Sequence, residues 1–511
     1  MNDDFITTLR HSPRIAHPPI INTMGSVLSL PQSNQRVGPV VVEELTPGAD
    51  AWEMCRRLAR LPHLLFFDSA SLHSGLGRYS FLAADPFDWL EAWGQTVRAG
   101  KSAARQADPF AVLQERLTRY QLEPLPDLPP FQGGAAGLFG YDLCHHLERL
   151  PRPEHDDFAV PDLAVGFYDW VISIDHESER AWLISTGLPH TEPRQRRRRA
   201  IERLHEVKRL LRQEPESPPQ VIDSPIVLSA PSWPVPGLPG ISSNFDRTRY
   251  LDTVRRAIEY IHAGDCFQVN VSQRLLHPAT ESPLQLYERL RERNSAPFAG
   301  FFDLGEFVIA SASPERFLRV NDAGEVQTRP IKGTRPRGFT PAHDMALLDE
   351  LLQSAKDRAE NVMIVDLLRN DLGRVCRYGS VKVESVCRLE SFRTVHHLVS
   401  EVHGRLRSGL GPVDLLRAAF PGGSVTGAPK IRAMEIIAEL EPTARGPYCG
   451  SLGYIGFDGS MDSNLLIRTF TVGKGWVQFN VGGGIVADSD PQHEYEETWH
   501  KAEGMLRALE A

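Results

Sequence analysis

Apolar positions between residues 244 and 264 fall at helical spacing. In NFDRTRYLDTVRRAIEYIHAGD, Val254, Ile258 and Ile261 share one face, Asn244 is placed to cap the start, and Gly264 can end the helix. The pattern then switches to alternation: CFQVNVSQRLL puts Phe267, Val269 and Val271 on one side and Gln268, Asn270 and Ser272 on the other, which predicts a strand. Upstream, RQRRRRAIERLHEVKRLLR carries a helical stripe at Ile201, Leu204, Val207 and Leu211, its basic start reading as a solvated face. Helical and strand patterns mix without regular βαβ alternation and without an internal repeat. The prediction is an α+β fold with largely antiparallel sheets.

Punctuation divides the chain. Gln213 to Asn244 is too rich in proline for regular structure and reads as a linker. The expected organisation is a flexible N-terminal extension over 1–37, an N-terminal lobe over 38–212, the Pro-rich linker over 213–244 and a second, chemistry-bearing domain over 245–511.

Charge narrows the partners. The 56 Lys+Arg set against 65 Asp+Glu give −9, a balance that offers nucleic acid or an anionic membrane no attractive field. Six cysteines lie scattered, without the CxxC spacing of a zinc site, and fit a reducing cytoplasm. The N-terminus is acidic where a signal peptide is basic, and no stretch approaches the roughly 20 apolar residues of a membrane span.

Candidate chemistry concentrates in the second half. Lys332, in TRPIKGTRPRG, is a primary amine between apolar Ile331 and flexible Gly333; SASPERF and GEVQTRPIKGT look like neighbouring strands that bring Glu315 close to it. An amine relieved of its proton by burial and nearby cations is a nucleophile, and a carboxylic acid beside it can protonate a departing hydroxyl. The alternative for Lys332 is anion binding in a turn. Asp357 and Glu360, and again Glu494 and Glu497, stand three apart on predicted helices and could supply the hard oxygen ligands Mg²⁺ prefers. Equally, Asp357 could complete a capping box with Ser354, and Glu494 and Glu497 could be a solvated helix edge. The run Gly482, Gly483, Gly484 and the FPGGSVTGAPK turn, with Ser424 and Thr426, would let backbone N–H groups approach an anion, or serve only as tight connections.

Five segments in order, GDCFQVNVSQR, PIKGTRPRG, AENVMIVDLLRND, FPGGSVTGAPK and GGGIVADSDPQHEYEET, resemble the chorismate-utilising enzymes, a family that includes anthranilate synthase, aminodeoxychorismate synthase, isochorismate synthase and salicylate synthase. LLFFDSA, GRYSF and AAGLFGYD extend the resemblance through the N-terminal half. It implies two large, mostly antiparallel β-sheets packed as a sandwich with helices outside, and 245–511 as the chorismate-binding catalytic domain. It also implies Mg²⁺ on Glu360, Glu494 and Glu497, with Asp357 where relatives carry glutamate. Tyr448, Arg468, Gly482 and Gly484 would hold the substrate's carboxylates, and Gly333, Thr334, His397 and Ser424 would lie around the ring, His397 joining Lys332 and Glu315 in catalysis. Lysine in the PIxGT motif is similar to the aminodeoxychorismate synthase branch, where it is a covalent nucleophile, and Gln268 replaces the water-activating lysine of isochorismate enzymes. The implied activity is amination of chorismate at C4 towards p-aminobenzoate and folate, with ammonia from a separate glutamine amidotransferase subunit, because none of the six cysteines sits in a nucleophile turn. The alternatives are an anthranilate synthase large subunit or a non-catalytic, tryptophan-binding regulatory relative. Related N-terminal lobes hold tryptophan near motifs like FFDSA, where Asp68 here replaces glutamate.

Overall fold

The computed structural model describes residues 34–45, 50–70, 76–215, 225–392 and 395–510. Among these, two antiparallel sheets of fourteen and twelve strands form the protein. They meet face to face through Leu138, Phe302, Ile309, Leu452, Tyr454 and their neighbours, a dry layer contributed by both sheets. Gly137, at φ +154°, is required there because a Cβ would lie 3.0 Å from the Phe302 ring and closer still to the Ala164 carbonyl. Helices cover the outer faces: Ala51–Leu58, Pro193–Leu211, Pro283–Arg293 and Pro491–Leu509 pack on the larger sheet, and Pro109–Thr118, Ala355–Gly373 and Pro412–Ala419 on the smaller. This is the sandwich the sequence resemblance implied. No described helix is long and apolar enough to cross a membrane, and all six cysteines are buried and unpaired.

The sheets ignore the boundary suggested by proline density. Leu65–Asp68 pairs with Phe298–Asp303, and Gly134–Phe139 with Ser451–Gly456, so each sheet joins a block of strands from before the Pro-rich stretch edge to edge with a block from after it. Within that stretch residues 216–224 lie outside the described residues, but Trp233–Pro234 pairs with Ser242–Ser243, which extends the edge beside Gln268–Pro278. Regular structure survives proline here because an edge strand can leave one side of its backbone unpaired. At the N-terminus residues 1–33 lie outside the described residues, and Asn34–Val37, expected in the extension, is a strand paired with Val40–Leu45.

Local patterns were displaced by a residue or two. The helix Arg247–His262 is capped by Asp246, whose carboxylate accepts from Arg249 N, while Asn244 instead donates to Thr443 Oγ1 at 2.9 Å and accepts from Arg274 N. Gly264 ends it at φ +85° as expected. In Pro193–Leu211 the inward face holds Leu204, Val207, Leu210 and Leu211 with Ala200, whereas Ile201 is exposed. The strand begins at Gln268, not Phe267: Val269 and Val271 pack under the preceding helix, Phe267 turns outward, and Gln268, Asn270 and Ser272 are buried too. Polar residues on that face point into the protein, a first sign of a functional interior.

Candidate active site

The strand Ile331–Pro336 pairs with Val395–Arg405, but its register slips between Lys332, opposite Leu398, and Thr334, opposite His397. Gly333 is the extra residue, a β-bulge that bends the strand beside Lys332. It sits at φ +80°, and a Cβ there would come within 3.0 Å of both Asp357 and Leu351. Gly333→Ala is therefore expected to destabilise the protein by about 1–3 kcal/mol and to slow turnover by shifting Lys332; a lower midpoint in denaturant melts checks the first effect.

Lys332 Nζ donates to the backbone carbonyl of Ser424 at 3.0 Å, and Ser424 Oγ donates to Glu315 Oε1 at 2.8 Å. Ser424 thus bridges the amine and the acid that the sequence pattern brought close. Its turn, Gly423–Val425, is held from behind by Arg445, which donates to Val425 O and Asn270 O, each at 3.0 Å, and is clasped by Glu441 at 2.7 and 2.8 Å. This ion pair is fully buried and hydrogen-bonded at several points, the condition under which buried charge is tolerated. Tyr448 lies with its ring 5.5 Å from the Arg445 guanidinium carbon, beside Cys449, placing it in this supporting layer.

Burial acts on the acid and the amine in opposite directions. Glu315 is pushed up to about 7 by desolvation, only partly countered by the Ser424 hydrogen bond and by Lys332. Lys332 is pulled below the ordinary lysine range by desolvation, against the pull of Glu360 and Glu315. Lys332 keeps some accessible surface while lying deep among protein atoms, as a group on a cleft wall does. Both shifts favour the neutral pair, an amine able to attack and an acid able to give a proton. His397, hydrogen-bonded through Nδ1 to Thr334 Oγ1 at 2.8 Å, is driven down to about 3 by burial and by Arg468, so it stays neutral near pH 7. Arg468, at φ +53°, is lowered by burial and feels Glu315 as its opposing charge, with no other counter-ion shaping it among the described residues.

Across from this pair stand the carboxylates. Glu360 is raised by burial and by repulsion from Asp357 and Glu494, against the pull of Lys332 and Lys356. Glu494 is buried, its Oε1 receiving Ser489 Oγ at 2.7 Å and Lys356 Nζ at 3.3 Å. Its Oε2 has no hydrogen-bond partner among the described residues. Glu497 is lowered chiefly by Lys501, 2.7 Å away. Gly483 faces this group: a Cβ there would lie 3.1 Å from Glu494 Oε2 and 3.9 Å from Glu497 Oε1. Among the described residues no three His, Cys, Asp or Glu side chains converge into a closed metal-binding group. The acids sit instead on Lys356 and Lys501. Asp357 is engaged differently from the others: its backbone N–H donates to the helix-capping Ser354 Oγ at 3.2 Å, and its carboxylate lies 3.4 Å from Arg335.

The flanking glycines differ in what they accommodate. Gly482 lies against the Val271 carbonyl, and Gly484 against the Gln268 amide, 2.3 Å from where a Cβ would be. Gln268 is fully buried, and among the described residues neither of its amide atoms has a hydrogen-bond partner. Residues missed in the sequence are Arg445 with Glu441, Lys356 and Lys501. The i,i+4 spacing of Glu441–Arg445 and Glu497–Lys501 was a legible signal for two of these pairs. In the N-terminal half, Asp68 is occupied by Arg291 Nε at 2.8 Å and Tyr287 OH at 3.0 Å.

A model of the chorismate binding enzyme family matches residues 70–507. Aminodeoxychorismate synthase component 1 of Escherichia coli (strain K12) is 43% identical over 459 residues, covering 89% of this chain and 95% of that relative. Anthranilate synthase component 1 of Thermus thermophilus is 46% identical over 411 residues, covering 79% and 83%. The crystal structure of anthranilate synthase component I from Streptococcus pneumoniae TIGR4 superposes with a TM-score of 0.71 at 32% identity, covering 85% of this chain and 93% of that one. Relatives of both kinds stand at similar identity, so likeness alone identifies the substrate class and leaves the position of amination to the site's chemistry. With a family model spanning most of its length and such relatives aligned along nearly all of it, this chain belongs to the chorismate binding enzymes.

Proposed function

We propose that the chain aminates chorismate at C4, giving 4-amino-4-deoxychorismate with the enolpyruvyl group retained, and that it takes ammonia from a separate glutamine amidotransferase subunit. The observation that carries this reading is Lys332, a deeply placed amine whose proton is destabilised and which Ser424 ties to an acid half-protonated near pH 7. Lys332 Nζ attacks ring C2. The ring double bonds shift, and the C4 hydroxyl leaves as water with the proton of Glu315. Ammonia then adds at C4, the double bonds shift back, Lys332 departs from C2, and the proton lost by ammonia returns to Glu315. The sum is chorismate plus ammonia to aminodeoxychorismate plus water.

Arg468, whose one opposing charge among the described residues is Glu315, suits a substrate carboxylate. Neutral His397, oriented by Thr334, offers a hydrogen bond to the ring without competing for the proton. Glu360, Glu494 and Glu497 are hard oxygen donors of the kind Mg²⁺ takes, and Glu494 Oε2, without a hydrogen-bond partner among the described residues, would be a ligand atom; Asp357, turned to Arg335, is the least suited. Bound there, the ion would supply positive charge to anchor a substrate carboxylate. Treatment with EDTA is expected to abolish turnover and millimolar Mg²⁺ to restore it.

The test of the reading is product identification by mass after incubation with chorismate, Mg²⁺ and an ammonium salt. Aminodeoxychorismate is expected. Fluorescent anthranilate formed without a downstream lyase overturns it in favour of anthranilate synthesis, the reading that the 46% identity to the Thermus thermophilus relative favours.

A further inference from the structure

The acid Glu360 and the amine Lys332 stand on separate elements, the helix Ala355–Gly373 and the strand Ile331–Pro336. Each feels the other as an opposing charge, so the two lie within reach of one another. Apolar packing presses the helix onto the smaller sheet, with Val365 and Leu372 in one buried cluster with Val326 and Val402. Burial of that kind is non-directional and does not by itself stop a helix from sliding or turning slightly. A directional contact has to set the spacing.

Asn361, the residue after Glu360, supplies one. It is fully buried, and its side chain reaches the strand Val395–Arg405 at two points: Nδ2 donates to Leu398 O at 3.3 Å, and Oδ1 accepts from Ser400 Oγ. Both points connect onward to the Lys332 strand. Leu398 pairs opposite Lys332, and Ser400 N donates to Pro330 O at 3.1 Å, two residues earlier. Ser400, also fully buried, completes the node by accepting from Cys387 N at 2.9 Å. Cys387 stands at φ +52°, where the register of its own strand Lys382–Ser391 shifts. For a residue with a Cβ that conformation costs free energy and persists only where the surroundings hold it. A second tie between the helix and the Lys332 strand, Asp357 to Arg335 at 3.4 Å, is partly exposed and correspondingly weak.

We propose that Asn361, together with Ser400, is a positioning residue for amination: the buried link holds the acid-bearing helix and the Lys332 strand at the separation at which an anchored chorismate presents C2 to the amine. Asn361 and Ser400 act through Glu360 and Lys332. This rests on the amination reading above.

The test measures kcat and KM for chorismate in the full-length chain with Mg²⁺ and an ammonium salt, well below every variant's melting midpoint, and the Kd for Mg²⁺ by calorimetry. Asn361→Leu keeps the volume and removes both side-chain hydrogen bonds; Ser400→Ala removes one hydroxyl. Each is expected to lower kcat by about 10- to 100-fold, as a misplacement of about an ångström does, while KM and the Mg²⁺ Kd stay within about threefold of wild type. The double variant should be no slower than the slower single one, because either change breaks the same link. Ser173→Ala, which removes an equally buried hydroxyl bonded to Phe131 O at 2.9 Å in the N-terminal half, should keep kcat within about twofold. A native kcat in the folded variants, with only the melting midpoint lowered, would overturn the assignment. So would a loss confined to KM or to the Mg²⁺ Kd, a double variant whose losses multiply, or an equal loss in Ser173→Ala. If Asn361→Leu does not fold, Ser400→Ala decides. A wild-type chain that makes no aminodeoxychorismate overturns the amination reading itself and the link's role with it, whereas wild-type amination with native kcat in the variants overturns the link alone.

Discussion

Replacing Lys332 with alanine is expected to reduce C4 amination of chorismate on the order of 10³-fold or more, since it removes the attacking atom and not merely a contact. The fold should survive. Lys332 contributes one hydrogen bond, to Ser424 O, and its loss costs roughly 1 kcal/mol in a protein of this kind. Retained chorismate binding with absent aminodeoxychorismate, measured by mass alongside wild type, would match the covalent route. A variant that still aminates C4 at the native rate removes that route, and amination would then need direct attack by ammonia.

The second large effect belongs to Glu315. Glu315→Gln keeps the size and can still accept from Ser424 Oγ, yet has no proton to give, so turnover should fall by about 10²–10⁴-fold. The pH profile carries a sign that distinguishes this from simple damage. The acid form of Glu315 prevails below about 7 and is lost as pH rises through that value, so wild-type kcat/KM should fall on the alkaline side. Lys332 acts in the opposite sense, since its neutral form grows with pH and lifts the rate on the acid side. In the variant the alkaline limb disappears while the acid limb remains. Stability follows the same group: a carboxyl raised on folding contributes most below the ordinary glutamate range, and that contribution is lost as pH rises to about 7. The variant's melting temperature should therefore depend less on pH over that interval; an unchanged alkaline limb in its activity would remove Glu315 as the proton donor.

Much of this was readable along the chain. Alternation at Val269 and Val271 located the strand that borders the site, Gly264 ended the preceding helix, and three-residue spacing put Glu494 and Glu497 on one helical face. The SASPERF and PIKGT motifs foretold that Glu315 and Lys332 would lie in one neighbourhood, and both hydrogen-bond Ser424. Asp246 in place of Asn244 as the cap shows the limit of local signals, because both residues have capping side chains and Asn244 was claimed by Thr443, distant in sequence.

What the sequence determined by itself is the set of elements, their apolar faces and the inventory of reactive groups, since periodicity and side-chain chemistry are local properties. Only the tertiary structure decided which polar faces are covered. Gln268 and Phe267 are neighbours, yet one is sealed inside and the other faces solvent. The shifted protonation of Lys332 and Glu315, the grip of Arg445 on the Ser424 turn and the lysine counter-ions of the acids depend on segments brought from elsewhere in the chain. Desolvation and charge pairing are set by atoms a few ångströms away in space, whatever their distance along the chain.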